Sequence, residues 1–195
     1  SGVDGKGHEL FSAAMEGSAD AFEAAQTRRD DMCFWLYTSG TTGMPKGAVH
    51  LHSSAVETAD LYAIPTLGIH ENEVVYSAAK LFFAYGLGNA LSFPMAVGAT
   101  TVLLDGMPTP EAVAEIITKH GVTLFFGVPT LYGMLLASDA LPAAGEHSLR
   151  LCVSAGEALP GELLRRWSER MGTDVLDGLG STEMLHIFLT NQQGD

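Results

Sequence analysis

Residues 37 to 47 read Tyr37-Thr38-Ser39-Gly40-Thr41-Thr42-Gly43-Met44-Pro45-Lys46-Gly47, a run dense in hydroxyls and glycine that lies between two apolar stretches and carries one lysine. These residue types suit a phosphate grip. Glycines allow positive φ and bring bare N–H groups up to an anion, Ser and Thr add hydroxyl donors, and Lys46 adds a point charge. Two familiar nucleotide loops are excluded by spacing. In a Walker A loop the lysine directly follows a glycine and precedes Ser or Thr, whereas here Pro45 precedes Lys46 and Gly47 follows it. The dinucleotide fingerprint needs a third glycine where Leu91 follows Gly86-Leu87-Gly88. Clusters of Gly, Ser and Thr are also ordinary loop composition, so composition alone leaves both readings open.

Two further runs carry chemistry. Ser154-Ala155-Gly156-Glu157-Ala158-Leu159-Pro160 and Asp177-Gly178-Leu179-Gly180-Ser181-Thr182-Glu183 each follow an apolar, strand-like stretch. The first is not a nucleophile elbow, because Cys152 stands where the leading glycine belongs. With the loop at 37 to 47 they appear in the order of a known set. The string YTSGTTGMPKGAVHLH resembles the signature loop of the adenylate-forming superfamily, which activates carboxylates with ATP. The run at 154 to 160 is similar to its adenine loop, and the run at 177 to 183 to its second signature.

The resemblance implies roles residue by residue. Thr38, Ser39, Gly40, Thr41, Thr42, Gly43 and Lys46 would hold the β- and γ-phosphates, and Gly156, Glu157 and Ala158, with Gly178, would line the purine. Asp177 would accept from the exocyclic amine or serve as a capping or solvated acid. Thr182 and Glu183 would meet the α-phosphate and Mg²⁺, a hard cation suited to oxygen ligands. Thr182, Glu183 and Lys46 form the expected catalytic set. The segments SAAKLFFAYGLGN and DGLGSTEMLHIF look most like the benzoate-CoA ligase branch, including hydroxy- and aminobenzoate relatives. On that likeness the acid pocket is Ala84, Tyr85, Ala155, Gly180, His186 and Ile187. Small residues leave room for a flat ring, Tyr85 and Ile187 offer apolar walls, and His186 is expected, from its distance to the Thr-Glu pair, to hydrogen-bond or pair with the carboxylate, whereas its apolar strand alone reads as holding a satisfied core histidine. ATP and Mg²⁺ would be the cofactors, and CoA the co-substrate. Two other readings stand beside this one: a non-catalytic nucleotide- or carboxylate-binding module, and an adenylating enzyme for a fatty or amino acid.

Composition narrows the classes. A net charge of -13 disfavours nucleic acid, whose phosphates call for basic patches. No apolar run reaches the roughly 18 residues of a membrane span, and no basic, then apolar, leader opens the sequence. A soluble cytoplasmic protein is the expectation. Cys33 and Cys152, each in an apolar run, read as buried free thiols. His50 and His52 alternate on a strand without companion ligands, so they read as strand-edge residues and not as a metal site.

These residues must be positioned by a scaffold, and the pattern predicts one. A lead-in over residues 1–30 carries one amphipathic helix from about Glu9 to Ala25. Strands over 34–37 and 48–51 flank the phosphate loop, and a helix from Ser53 to about Tyr62 is closed by Pro65 and Gly68. Strand 74–77 leads to an irregular, glycine-bearing stretch over 79–89. Strands over 100–104, 123–126, 149–154 and 174–176 then alternate with helices over 110–120, 129–137 and 160–171, and residues 142–146 read as an exposed loop. This rhythm gives an α/β fold with a mostly parallel sheet flanked by helices. Ligands in such folds collect beyond the carboxyl ends of the strands, where the runs at 154 and 177 begin.

The resemblance covers residues 31–195, a partial AMP-binding domain within the large N-terminal domain of such enzymes. Their ribose-holding aspartate, hinge and lysine-bearing small C-terminal domain have no match here. The chain alone is therefore expected to have little or no ligase activity.

Overall fold

The structure is a computed structural model that describes residues 10–38 and 43–194. Its centre is a six-stranded sheet in the order β4-β3-β5-β6-β7-β8. The strands are β3 (Val74–Ser77), β4 (Thr100–Val102), β5 (Leu124–Gly127), β6 (Leu151–Ala155), β7 (Asp174–Gly180) and β8 (Ile187–Thr190). All neighbours run parallel except β8, which returns antiparallel along β7. Strands β1 (Met32–Thr38) and β2 (Lys46–Leu51) form a separate antiparallel pair that brackets the glycine-rich loop.

Alternation along the strands divides the core into two layers. Tyr76, Phe125, Cys152 and Val175 face one side, packed by Val113 and Ile117, Leu131 and Tyr132, and Trp167 and Met171. Those residues come from helices α4 (Pro110–His120), α5 (Pro129–Ala137) and α6 (Gly161–Met171). Val75, Leu124, Phe126, Val153 and Leu176 face the other side, against Ala59, Tyr62, Leu67 and Phe93. The central strands are apolar on both faces because helices cover both. α4 shows how locally the sequence sets its bounds: Pro110 opens it, the Thr109 hydroxyl accepts from the Ala112 N–H at 3.3 Å, and Gly121 at φ 61° closes it.

Two helices depart from the expectation. Helix α2 runs through Ser54–Thr58, a π-helical turn Ala59–Ala63 and a last turn Ile64–Leu67, so Pro65 does not close it. Gly68, at φ 60°, does. The wide turn just before Pro65 gives the ring space against the preceding carbonyls. Helix α3 repeats the device, with Ala84–Leu87, a π-helical turn Gly88–Ser92 and then Phe93–Val97 containing Pro94. The stretch read as irregular over 79–89 is thus a loop that becomes a helix at Ala84. The lead-in helix α1 is confined to Phe11–Glu16 and buries nothing, since a short helix without a packed face gains too little to extend.

Cys33 corrects the reading of two buried thiols. It is exposed, while Cys152 is buried. Strand alternation turns Cys33 outward with Trp35 and Tyr37, onto the open face of the hairpin. Burial pushes the Cys152 thiol up to about 12.

Candidate active site

The carboxyl ends of β3, β5, β6 and β7 release the chain into loops on one side of the sheet, and two adjoining cavities lie there. The first, of about 380 Å³, is lined by all six residues expected for an acid pocket: Ala84, Tyr85, Ala155, Gly180, His186 and Ile187. Ala79, Phe83, Val128, Gly156, Ser181 and Thr182 complete its wall. The second, of about 670 Å³, is lined by Gly156, Glu157, Ala158, Asp177 and Gly178 together with Leu179, Gly180, Leu189, Thr190 and Asn191. Gly156 and Gly180 belong to both cavities.

The first cavity is held rigidly. The Tyr85 hydroxyl reaches two strand carbonyls, Gly127 at the end of β5 at 3.3 Å and Val153 within β6 at 3.2 Å, so the ring stands as a fixed wall across β5 and β6. Burial raises the Tyr85 phenol well above its ordinary value, keeping it protonated as a donor. His186 is 3% exposed and ringed by Tyr62, Tyr85 and Phe93, with the Phe93 ring centroid at 4.4 Å. Its Nε2 donates to Oδ1 of Asn89 at 2.9 Å. Burial pushes the imidazole down to about 3. At neutral pH His186 is therefore uncharged, and it offers the cavity no cation to pair with a carboxylate.

Glycines keep the wall thin. A Cβ on Gly88 would stand 2.4 Å from the His186 ring, one on Gly178 would stand 2.3 Å from Ile187, and one on Gly180 would stand 2.7 Å from the His186 carbonyl oxygen. Three glycines thus let His186 and Ile187 reach the pocket between backbone segments.

In the second cavity Asp177 is a brace. Its Oδ2 accepts from the Leu159 N–H at 3.1 Å, its own N–H donates to Oδ1 of Asn191 at 2.8 Å, and its carbonyl accepts from the Thr190 hydroxyl at 3.0 Å. Its Oδ1 is buried without a hydrogen-bond partner. Such an orphaned acceptor beside a cavity fits a ligand that brings a donor.

Of the phosphate loop, Thr38 ends β1 opposite Lys46 at the start of β2, and Gly43 has φ 95°, as a turn that presents N–H groups requires. Lys46 is exposed. Ser39, Gly40, Thr41 and Thr42 lie outside the described residues. Thr182 lies on the rim of the first cavity, and Glu183 is exposed beside it, an oxygen ligand of the kind a hard cation takes. His50 lies on β2, an edge strand of the two-stranded pair, yet it is buried, and its Nε2 lies 2.8 Å from the Thr182 carbonyl oxygen.

Residues that motif reading missed arrive by topology. Val128 follows β5, Ala79 follows β3, and Thr190 and Asn191 come from the antiparallel return of β8 beside β7. The strand-end rule points to the first two. Nothing local in the sequence marks the others.

Comparison with known proteins agrees with this geometry. The chain is 59% identical over 191 residues to the benzoate–CoA ligase of Thauera aromatica, an alignment covering 98% of this chain and 36% of that protein. The fold superposes on a benzoate CoA ligase from Burkholderia xenovorans with a TM-score of 0.87 at 52% identity, over 95% of this chain and 37% of that one. It superposes on an anthranilate CoA ligase in complex with anthranoyl-AMP with a TM-score of 0.88 at 39% identity, over 100% of this chain and 38% of that one. The chain thus spans a little over a third of the length of these relatives. The sequence pattern of the AMP-binding enzyme family matches residues 3–195. Matched over residues 3–195, nearly its whole length, the chain belongs to the AMP-binding enzyme family.

Proposed function

We propose that the chain is the nucleotide- and acid-binding part of an ATP-dependent acid-CoA ligase that acts on an aromatic carboxylate, benzoate or a hydroxy- or aminobenzoate. The observation that carries this reading is the convergence of Ala84, Tyr85, Ala155, Gly180, His186 and Ile187 on one apolar cavity of about 380 Å³ beside Thr182. That volume lies at the small end of ligand sites. The neighbouring cavity, with the free Oδ1 of Asp177, suits a purine amine. The names of the relatives support the acid class.

In this reading a carboxylate oxygen attacks the α-phosphorus of ATP, the bond to pyrophosphate breaks, and an acyl adenylate and pyrophosphate result. The CoA thiol, losing its proton, then attacks the acyl carbon, and AMP leaves. Lys46 and the loop N–H groups offset charge on the departing pyrophosphate, and Thr182 holds the α-phosphate by a hydroxyl hydrogen bond. Glu183 would hold Mg²⁺, which would offset phosphate charge when bound. Neutral His186 acts as a fixed wall against the ring. No helix among the described residues is long and apolar enough to cross a membrane.

The test is pyrophosphate exchange by the full polypeptide that carries these residues. Exchange dependent on benzoate or a substituted benzoate is expected. Exchange only with fatty or amino acids overturns the aromatic assignment, and nucleotide binding without any exchange favours a binding module.

A further inference from the structure

We propose that His50 is a positioning residue that ties the phosphate-binding hairpin to the Thr182–Glu183 turn; the inference rests on the ligase reading above. A carbonyl oxygen only accepts, so in the 2.8 Å contact with Thr182 the His50 Nε2 carries the hydrogen. The ring is 4% exposed and packs against Phe34, with centroids 5.2 Å apart, which fixes its aim across the hairpin. Among the described residues this is the one hydrogen bond that joins β1 or β2 to the body of the six-stranded sheet. A two-stranded ribbon is marginal by itself, so its placement depends on such anchors.

The position of the anchor matters. Lys46 lies four residues before His50 on the same strand, about 13 Å away at an ordinary strand rise. The tethered carbonyl belongs to the peptide plane that carries the Glu183 N–H, so fixing it orients the chain entering Glu183. The same oxygen accepts from the Leu185 N–H at 3.2 Å. Leu185 is the single non-glycine residue with positive φ among the described residues, at 64°. A leucine keeps that conformation only where its surroundings over-determine it. Two donors meeting at the Thr182 carbonyl do so, and one of them comes from the hairpin that bears the phosphate loop.

The experiment compares H50L, which keeps apolar bulk and loses the donor, with H50Q, whose amide places an N–H near the original Nε2. In the full polypeptide, H50L should lower kcat for benzoate-dependent pyrophosphate exchange by about tenfold or more, as small misplacements of reacting groups do, with KM for benzoate changed by less than about threefold. H50Q should recover most of kcat. Wild-type kcat in H50L, or an equal fall in both variants, overturns the proposal. If H50L does not fold, H50N, whose amide is too short to span the contact, takes its place with the same expectation. Hydrogen exchange at the Leu185 amide gives a readout independent of turnover: it should quicken about tenfold in H50L and stay near wild type in H50Q. Unchanged exchange in H50L overturns the tether. A wild-type protein without aromatic exchange defeats the ligase reading instead, and the amide measurement still decides the tether.

Discussion

His186 shows how a single residue changes character between sequence and structure. In the sequence it is a histidine near a Thr-Glu pair, available as a cation. In the fold three aromatic rings and Asn89 enclose it, and the cost of desolvating the charged form keeps it neutral. The consequence for stability has a definite sign. Its folded pKa of about 3 lies below the ordinary 6.5, so between those values the unfolded chain binds more protons and stability rises with pH. The contribution is fully present above about pH 7 and is lost as pH falls through 6.5 toward 3. We expect the advantage of wild type over H186Q to shrink by about 1.4 kcal/mol for each pH unit between 6 and 4, read by urea unfolding of both proteins. A constant difference across that range would mean that water reaches the ring. The apolar strand around His186 already reads as that of a core histidine, but its partners could not be read locally, because the rings that surround it come from α2 and α3, far from it in the chain.

Elements were legible where the signal was local. The bounds of β3, α4 and α5 coincide with those read from periodicity, with Pro110 and Pro129 opening the two helices. The six acid-pocket residues were legible only through family likeness, although their common cavity is independent geometry. What escaped reading depends on non-local pairing: the antiparallel return of β8, the π-helical turns before Pro65 and Pro94, and the outward face of Cys33. The end of the sheet opposite the cavities holds another such feature. Glu73, which immediately precedes β3, has a side chain 1% exposed and meets Arg150, just before β6, at 2.6 Å. Arg150 also donates to the carbonyls of Leu67 and Gly68 at the end of α2. One ion pair therefore fastens a helix and two strands. Replacing Arg150 with Met leaves the buried Glu73 carboxylate stranded from its shortest ion pair, with only His70 Nε2 at 3.0 Å and the Thr123 hydroxyl beside it, and we expect a loss of about 1–3 kcal/mol, less than for a fully buried pair because those partners remain and Arg150 is partly open to water. Denaturant unfolding measures it. A double variant, E73Q with R150M, should recover part of the loss, because the stranded charge is gone.

At the scale of the whole molecule, cohesion is unevenly distributed. The six-stranded sheet is enclosed by helices on both faces, with Trp167, Tyr76, Tyr132 and Phe93 fully buried. By contrast the described lead-in is exposed throughout, and the hairpin shows Trp35, Tyr37 and Val49 to solvent. Proteolysis follows local opening, and opening is cheapest where little surface is buried. Trypsin should therefore cut first after Arg28 and Arg29, and next after Lys46. Arg150 should resist because its side chain is engaged with Glu73 and its backbone with Thr123. Arg165, Arg166 and Arg170, though on the outer side of the fold, lie within α6 and must wait for that helix to unwind. The expected course, followed by mass spectrometry, is early loss of the lead-in and then of β1, with a persistent body that begins at Gly47. ATP should slow the cut after Lys46 and leave those after Arg28 and Arg29 unchanged, since Lys46 belongs to the proposed phosphate loop and the lead-in bears none of the proposed phosphate contacts. Early cleavage after Arg150 would mean that the sheet, and not the hairpin, is the weak part of the molecule. In that case the strand ends could not serve as the fixed frame against which the phosphate loop is held.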